Sequence, residues 1–551
     1  MKKNWLVIGI VTLIVVAVGA YFWATTLMDS LFEYRSPLAT DAPVAQMETS
    51  QPLTRRVVIV LVDALREDTA MDVQVMPFLN ELRSQAAWAT MHSQTPSYSA
   101  PSWTTILTGA WPDINDGQSA NPPDEDSVRT FTQDDIFAAA ERAGLHTAVS
   151  GFFWFEDMLA NSGVDAGFYT PGEDDSADRD VMKAAVPWLE EGTYDLMLIH
   201  LDQVDYAGHH EGGAKGAGWQ AAAGRVDDML REIVTTMDLE QDTLLIFSDH
   251  GQIDQGGHGG QEAVTLVEPF LMLGAGTTPG YYSDIQMVDI APTVATLLGT
   301  QIPASSQGRI LTEMLTISEE QAAVLQDGLD AQQAQLLQEY QVAIGADVQL
   351  QSEDGASQPF NVKMDAIRAQ RLDQERTPRM VIAILLAAIP LTIMIKKKEQ
   401  NWKWFVGGTI CYLVIFNLMY AVIMHKTYSL SSLVSAGDLI LSTALYSGIA
   451  LLTAWLLVML ARKDLSKGSA HAAGTSLNLI FIVLYVLALP VLWSFYRNGA
   501  LISWTLPEFG SMYLSFLSLI QIIFVALFGL LLTGGSALIA HRKRNNGGID
   551  S

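Results

Sequence analysis

The sequence predicts an α/β domain with a mainly parallel sheet between layers of helices, together with membrane-spanning helices. Three observations predict this fold class. Short apolar segments have the length of buried strands, segments with helical spacing of apolar residues lie between them, and six longer uncharged segments approach or exceed the roughly 20 residues that cross a bilayer. The chain of 551 residues is long enough for both parts.

The strands and helices of the α/β part follow from short patterns. The candidate buried strands are residues 57–62, 146–150, 194–200, 243–248 and 269–274, and helical patterns cover 134–144 and 221–237. Strands that alternate with helices favour a mainly parallel sheet covered on both faces. In such sheets functional groups collect beyond the carboxyl ends of the strands. We therefore expect the chemistry at that edge.

Six segments predict transmembrane helices, and they are residues 5–24, 380–395, 404–424, 439–460, 477–496 and 512–540. The first one also resembles a cleaved signal peptide, because Lys2 and Lys3 precede an apolar core. Its apolar segment is longer than the roughly 7 to 15 residues of a signal core, and no clear cleavage site of small residues follows. We therefore predict an uncleaved anchor.

These patterns predict six regions along the chain: an anchor (1–24), a linker (25–55), a catalytic domain (56–315), a helical connector (316–378), a five-helix transmembrane domain (379–540) and a cytoplasmic tail (541–551). The connector is rich in Gln, Glu and Asp, and we interpret it as a solvated helix rather than a binding segment.

The basic residues that flank the spans predict the orientation in the membrane. The two short loops on one side carry only Lys426 and Arg497. The segments on the other side carry many more basic residues: Lys2, Lys3, Lys396, Lys397, Lys398, Lys403, Arg462, Lys463, Lys467, Arg542, Lys543 and Arg544. We expect this side, which includes both termini, to be cytoplasmic. The α/β domain is therefore expected to face away from the cytoplasm.

The only cysteine, Cys411, falls in a predicted span, and the chain has no Asn-x-Ser/Thr sequence. Both observations favour a bacterial plasma membrane over an endoplasmic reticulum lumen. The net charge of -28 argues against a nucleic acid as partner, because phosphate backbones would be repelled. It is compatible with a phosphate substrate where bound divalent metals reverse the local charge. Nothing in the sequence predicts the oligomeric state.

Ionisable side chains cluster after three of the predicted strands. These candidates are Asp63, Asp202, Asp205, His209, His210, Asp249, His250 and His258. A single Asp at a strand end is usually a capping or solvated residue. Together they supply mixed nitrogen and oxygen ligands, which suit zinc or another transition metal better than calcium.

A polar loop rich in hydroxyl groups, in 92-HSQTPSYSAPSWTTILTG-109, lies just ahead of an apolar segment that ends in glycine. Loops of this kind are usually turns whose Ser and Thr side chains cap nearby backbone groups. The residues themselves leave open whether one of the eight Ser and Thr hydroxyl groups is a nucleophile.

Five motifs, in order over about residues 56–315, resemble the alkaline phosphatase superfamily. They are V-D-A-L-R (62–66), V-D-Y-A-G-H (204–209), S-D-H-G (248–251), G-G-H-G-G (256–260) and D-I-A-P-T-V-A-T-L-L-G (289–299). Within the superfamily the chain is most similar to the glycosylphosphatidylinositol (GPI) ethanolamine phosphate transferases, and it also resembles the nucleotide pyrophosphatase/phosphodiesterases. The implied fold is alkaline-phosphatase-like.

The resemblance implies two divalent metal ions, zinc or alternatively manganese. Asp63, Asp249 and His250 would hold one ion together with the nucleophile, and Asp205, His209 and His258 would hold the other. Asp202 and His210 match no ligand position and are expected to contact the ligands or solvent. Of the two, Asp202 is the better candidate for a residue that contacts a metal ligand. Matching the loop to the superfamily selects Ser99 as nucleophile, and Ser97 and Thr95 remain alternatives.

The frame around Ser99 also resembles the sulfatase signature C/S-x-P-x-R, with Trp103 at the arginine position. This departure favours an unmodified serine and phosphoryl chemistry. We therefore predict a membrane-bound phosphotransferase that moves a phosphoethanolamine-like group from a phospholipid to a lipid or glycan acceptor through a phospho-serine. The alternatives are a phosphodiesterase or phosphatase that uses water, then a sulfatase, and, from another class, a transporter or scaffold with an inactive enzyme domain.

Overall fold

The structure is a computed structural model that describes residues 3–45, 50–346, 359–396, 402–433 and 435–546. Lys2, Lys397 and Lys398, on which part of the orientation argument depends, lie outside these ranges. The chain forms two compact units. One comprises residues 1–31, 374–502 and 507–551, and the other comprises residues 32–373 and 503–506.

The second unit is built on one mainly parallel sheet. Its strands are β1 (Arg56–Val62), β2 (Ala87–His92), β3 (Thr147–Phe152), β4 (Ala166–Thr170), β5 (Leu196–Leu201), β6 (Asp242–Phe247), β7 (Val267–Gly274), β8 (Gly280–Tyr281) and β9 (Ile285–Gln286). Their order is β4-β3-β5-β1-β6-β7-β2-β8, and β9 also pairs with β2. Among these strands, β7 alone is antiparallel to both of its neighbours.

All five predicted strands are present, at β1, β3, β5, β6 and β7. The prediction missed the other four for physical reasons. Side chains of β2 alternate between buried and half-buried and include two alanines, β4 is only partly buried, and β8 and β9 have two residues each. None of the four forms a continuous apolar segment.

Helices cover both faces of the sheet. In this unit they are Glu67–Ala70, Pro77–Leu82, Ser99–Thr108, Pro112–Asn115, Ile136–Arg142, Trp154–Met158, Asp175–Glu191, Gln203–His210, Ala217–Thr236, Ile290–Leu298 and Glu319–Ala343. The central strand β1 shows the two-sided burial directly. Val57, Ile59 and Leu61 belong to one buried cluster, whereas Val58, Val60 and Val62 belong to another. This period of two places one core on each face, and the predicted α/β fold class is confirmed.

The N-terminal helix spans Lys3–Phe32 and so extends eight residues beyond the predicted end of the anchor at residue 24. Residues 25–32 therefore do not behave as a linker. Tyr34 and Leu38 are buried, and Arg35 pairs with Asp116. Part of the predicted linker is thus packed into the second unit.

Six helices among the described residues are long and apolar enough to cross a membrane: Leu6–Phe32, Phe360–Lys396, Lys403–Ile423, Ala436–Arg462, Ser469–Asn498 and Phe509–Arg542. All six predicted spans fall on them, and by length and composition they indicate a membrane protein. The second of these helices begins within the predicted connector, whose other helix is Glu319–Ala343. The predicted domain boundaries remain predictions.

Candidate active site

The candidate residues lie where three neighbouring strands end. β1 is paired with β5 on one side and β6 on the other, and all three are parallel. Asp63 follows β1 directly, the helix Gln203–His210 follows β5, and Asp249 and His250 follow β6. Because parallel strands end at the same edge of a sheet, the fold brings together residues that are far apart in sequence.

Asp63, Asp249 and His250, the first group, are fully buried and offer ligand atoms that lie within 4.8 Å of one another. The Nε2 atom of His250 lies 3.5 Å from Asp63 Oδ1 and 3.5 Å from Asp249 Oδ2. A backbone N–H holds Asp249 in this position, because Ala64 N donates to its Oδ1 at 3.1 Å. These are three of the residues that the resemblance assigns to one ion.

Asp205, His250 and His258 form the second group, again with ligand atoms within 4.8 Å of one another. The rings of His250 and His258 are stacked with centroids 4.0 Å apart. The resemblance places His209 with Asp205 and His258. In the structure His209 Nε2 lies 3.5 Å from Asp205 Oδ2, so His209 flanks the second group, and His250 lies between the two groups.

Ser99 is the first residue of the helix Ser99–Thr108, and its hydroxyl lies 3.3 Å from His250 Nε2. It is therefore the hydroxyl of the loop that meets the first group, at the positive end of a helix where anions are stabilised. The alternatives have other partners. Ser97 Oγ accepts from Gly259 N at 3.0 Å and donates to Gly260 O at 3.2 Å, and Thr95 Oγ1 also donates to Gly260 O.

The two stacked histidines direct their Nε2 atoms at carboxylates. His258 Nδ1 lies 3.0 Å from Ser97 O and His250 Nδ1 lies 3.2 Å from Gly251 O, so each Nδ1–H donates to a carbonyl. In a neutral ring this leaves the Nε2 lone pair directed at Asp63, Asp205 or Asp249. Acceptors that face acceptors across a buried space are the donor set of a metal site.

Burial also sets the charge of these groups. It lowers the pKa of His250 to about 4 and of His258 to about 3, so both imidazoles are neutral at pH 7. Burial raises the pKa of Asp249 to about 6, and burial together with the charge of Asp249 raises the pKa of Asp63. Asp63 Oδ1 is buried and has no hydrogen-bond partner within the described ranges. The residues fit a divalent cation, which would relieve the repulsion between these carboxylates.

Burial also opposes the ionisation of Asp205, but His209 and the hydrogen bond from the Gln252 amide lower the pKa of this carboxyl below its usual value. Asp205 is therefore the carboxylate of the set that is most fully ionised at pH 7. This electrostatic contrast separates the second group from the first, whose carboxyl groups have raised pKa values.

Sequence reasoning missed His200, which lies in the otherwise apolar strand β5. Its Nε2 lies 3.1 Å from Asp63 Oδ2, and burial lowers its pKa to about 3. Asp63, His200 and Asp202 also have potential ligand atoms within 4.8 Å of one another, so Asp202 lies closer to the site than predicted. A buried histidine in an apolar strand was the available signal. His210 is exposed, and its ring packs on Tyr206.

The family comparison matches the same part of the chain. Residues 57–292 match the family described as type I phosphodiesterase/nucleotide pyrophosphatase. The resemblance to the alkaline phosphatase superfamily is confirmed. The description of this family names phosphodiesterases and pyrophosphatases. The predicted enzyme class of this domain, an enzyme of phosphoryl transfer, is therefore confirmed as well.

Curated relatives support the same resemblance. The GPI ethanolamine phosphate transferase 2 of Candida glabrata is 24% identical over 338 residues, which cover 52% of this chain and 39% of the relative. The catalytic subunit of human GPI ethanolamine phosphate transferase 3 is 27% identical over 295 residues, which cover 48% of this chain and 26% of the relative. The chain thus matches well under half of the length of either relative.

Solved structures resemble the chain more distantly. Murine ectonucleotide pyrophosphatase/phosphodiesterase 5 has a TM-score of 0.39 at 13% identity and covers 45% of this chain and 96% of its own. Alkaline phosphatase PafA has a TM-score of 0.40 at 11% identity and covers 48% of this chain and 100% of its own.

Proposed function

We propose that the protein is a membrane-bound, metal-dependent phosphotransferase that moves a phosphoethanolamine-like group from a phospholipid to a lipid or glycan acceptor. One observation carries the proposal. The hydroxyl of Ser99 lies at a helix N-terminus, 3.3 Å from a histidine that lies between two buried groups of carboxylate and imidazole donors. A serine in this setting suits phosphoryl transfer, because both an alkoxide and a phosphate are stabilised there.

Asp63, Asp249 and His250, with Ser99, would hold one divalent ion, and Asp205, His209 and His258 would hold the other. Zinc suits this nitrogen and oxygen set, with manganese as the alternative. When bound, such a pair stabilises a serine alkoxide and neutralises the charge of the phosphoryl group. His250 lies between the two groups and orients the Ser99 hydroxyl.

In the first step, the deprotonated Ser99 Oγ forms a bond to the headgroup phosphorus as the bond from phosphorus to the glycerol oxygen breaks. The released lipid alcohol takes up a proton. In the second step, the hydroxyl of the acceptor gives up its proton and bonds to phosphorus as the Ser99–phosphorus bond breaks. Ser99 is 7% exposed, so only a small part of this residue faces solvent.

The transferase proposal has two further supports. The names of the curated relatives describe ethanolamine phosphate transferases, and the six apolar helices would allow a lipid donor and a lipid acceptor to approach along the bilayer. The second candidate is a phosphodiesterase or phosphatase that uses water as acceptor. The family that matches residues 57–292 favours it, since its description names phosphodiesterases and pyrophosphatases.

We also propose that the catalytic domain of residues 56–315 faces away from the cytoplasm and that both termini are cytoplasmic, because the basic residues concentrate on one side of the predicted spans. The relatives named above come from a yeast and from human, so they lend no support to a bacterial plasma membrane. That location remains a prediction from the single cysteine and the lack of glycosylation sequences.

The test compares the full chain with Ser99→Ala in lipid vesicles. The substrates are phosphatidylethanolamine labelled in its headgroup and a small phosphodiester, and bound metal is measured in both proteins. We expect two metal ions per wild-type chain and the loss of both activities in Ser99→Ala. Activity of the variant on both substrates contradicts the proposal, and release of the headgroup only to water, with every acceptor tried, favours the second candidate.

A further inference from the structure

We propose that Gln252 is a positioning residue that locks the second group in place by joining Asp205 to the loop that carries His258. The inference rests on the proposed metal-dependent function. Gln252 is fully buried and lies two residues after His250. It lies outside the five motifs of the chain, since S-D-H-G ends at Gly251 and G-G-H-G-G begins at Gly256.

The amide nitrogen of Gln252 is directed at Asp205. Nε2 donates a short hydrogen bond to Asp205 Oδ1 and another, of 3.2 Å, to the backbone oxygen of the same residue. Two bonds from one nitrogen fix both the carboxylate and the start of the helix that carries it. Asp205 Oδ1 also lies 3.5 Å from His258 Nε2. The Gln252 amide therefore orients the same carboxylate oxygen that faces His258.

The amide oxygen of Gln252 is directed at the other part of the second group. Oε1 accepts from the backbone nitrogen of Gly257, the residue before His258, at 3.3 Å. Two glycines leave room for the close packing around Gln252. A Cβ on Gly208 would lie 2.0 Å from Gln252 Oε1, and one on Gly256 would lie 2.2 Å from the backbone oxygen of Gly208. The loop therefore packs directly on the helix Gln203–His210.

The backbone of Gln252 is itself anchored. Arg66 Nη1 donates to Gln252 O at 3.3 Å and pairs with Asp254 Oδ1 at 2.7 Å. One buried side chain with a donor and an acceptor thus connects the helix after β5 with the loop after β6. Glutamine fits this position because a carboxylate would face Asp205 without a proton to donate, and an apolar side chain would satisfy neither partner.

The experiment measures zinc affinity of the full chain, with zinc alone as the probe. Gln252→Met keeps the length of the side chain and removes both polar groups, and Gln252→Asn keeps the amide on a side chain one methylene shorter. We expect wild type to bind two ions. Gln252→Met should bind one of the two ions at least about tenfold more weakly, because residues that orient metal ligands affect metal affinity by about this factor. Gln252→Asn should also bind that ion more weakly than wild type.

Gln255→Met is the matched control, because Gln255 is an exposed glutamine of the same loop. It should bind both ions as wild type does. A second readout is activity in excess zinc, which should recover in Gln252→Met if only metal affinity is lost. Two folded Gln252 variants with wild-type affinity for both ions overturn this inference. If the wild-type protein binds no metal, the proposed function is overturned instead. If both Gln252 variants are unfolded, Gln252 serves general folding rather than the second group, and the inference is overturned.

Discussion

The indole Nε1 of Trp103 donates a hydrogen bond to Asp249 Oδ2 at 2.8 Å. Trp103 lies one helical turn after Ser99, so the helix that carries the candidate nucleophile also orients a candidate metal ligand. The indole is 1% exposed, stacks on Phe155 with ring centroids 4.3 Å apart, and meets His200 edge to face. The residue that separates this chain from the sulfatase signature therefore contacts the candidate site.

Trp103→Phe should remove this hydrogen bond and keep most of the aromatic packing. We expect kcat and zinc affinity to fall by about tenfold to hundredfold, because Asp249 loses the donor that orients its Oδ2 atom. Trp154→Phe is the control, since Trp154 packs on Trp103 with ring centroids 5.8 Å apart. Steady-state kinetics and zinc titration of both variants provide the measurement, and an equal loss in the two would show that packing, not the hydrogen bond, is responsible.

Ser97→Ala should affect stability more than chemistry. Its hydroxyl contacts Gly259 and Gly260 in the loop that carries His258, and it is fully buried. Removing it leaves Gly259 N without this partner, at a cost of about 1–3 kcal/mol in the free energy of unfolding. Chemical denaturation measures that cost. Complete loss of activity in a folded Ser97→Ala would instead favour Ser97 as the nucleophile.

Asp178→Asn should loosen the helix that carries Asp205 and His209. Asp178 Oδ1 accepts from Asp202 N at 2.8 Å, and its Oδ2 accepts from Gln203 N at 3.2 Å and from Gln203 Nε2 at 2.8 Å. An asparagine has one acceptor oxygen in place of two, so we expect the free energy of unfolding to fall by about 1–2 kcal/mol and zinc affinity to fall with it.

Asp174→Asn is the matched control, because Asp174 caps the helix Asp175–Glu191 at an exposed position. Thermal melting and zinc titration of the two variants separate the effects. If Asp178→Asn loses stability but keeps its zinc affinity, the hydrogen bonds of Asp178 do not position Asp205 and His209.

Metal affinity should fall as the pH falls from 7 to 5. Burial raises the pKa of Asp249 to about 6, so below that pH a metal ion must displace a proton from this carboxyl. The histidines His250 and His258, with pKa values of about 4 and 3, stay neutral through this range and add nothing to the dependence. Zinc titrations at several pH values measure the slope, and constant affinity between pH 7 and 5 would contradict this account of the first group.

Much of the arrangement of the candidate site was predictable because each candidate ligand follows a strand and belongs to a short motif. Asp63, Asp249 and His250 are examples, and the order of the motifs was enough to place them on one sheet edge. Gln252 and Trp103 depend on contacts across 47 and 146 positions of the chain, which no local pattern encodes. Strand β2 escaped for another reason, since its alternating burial and alanines lack the apolar signal of a buried strand.

The central claim is that Ser99 carries the phosphoryl group. The most direct measurement incubates the full chain with phosphatidylethanolamine labelled in its phosphate, without acceptor, and identifies the labelled residue after an acid quench by mass spectrometry. The account predicts one labelled group per chain on Ser99, present in Ser97→Ala and absent in Ser99→Ala. Label on another residue, or headgroup transfer by Ser99→Ala at the wild-type rate, would contradict it.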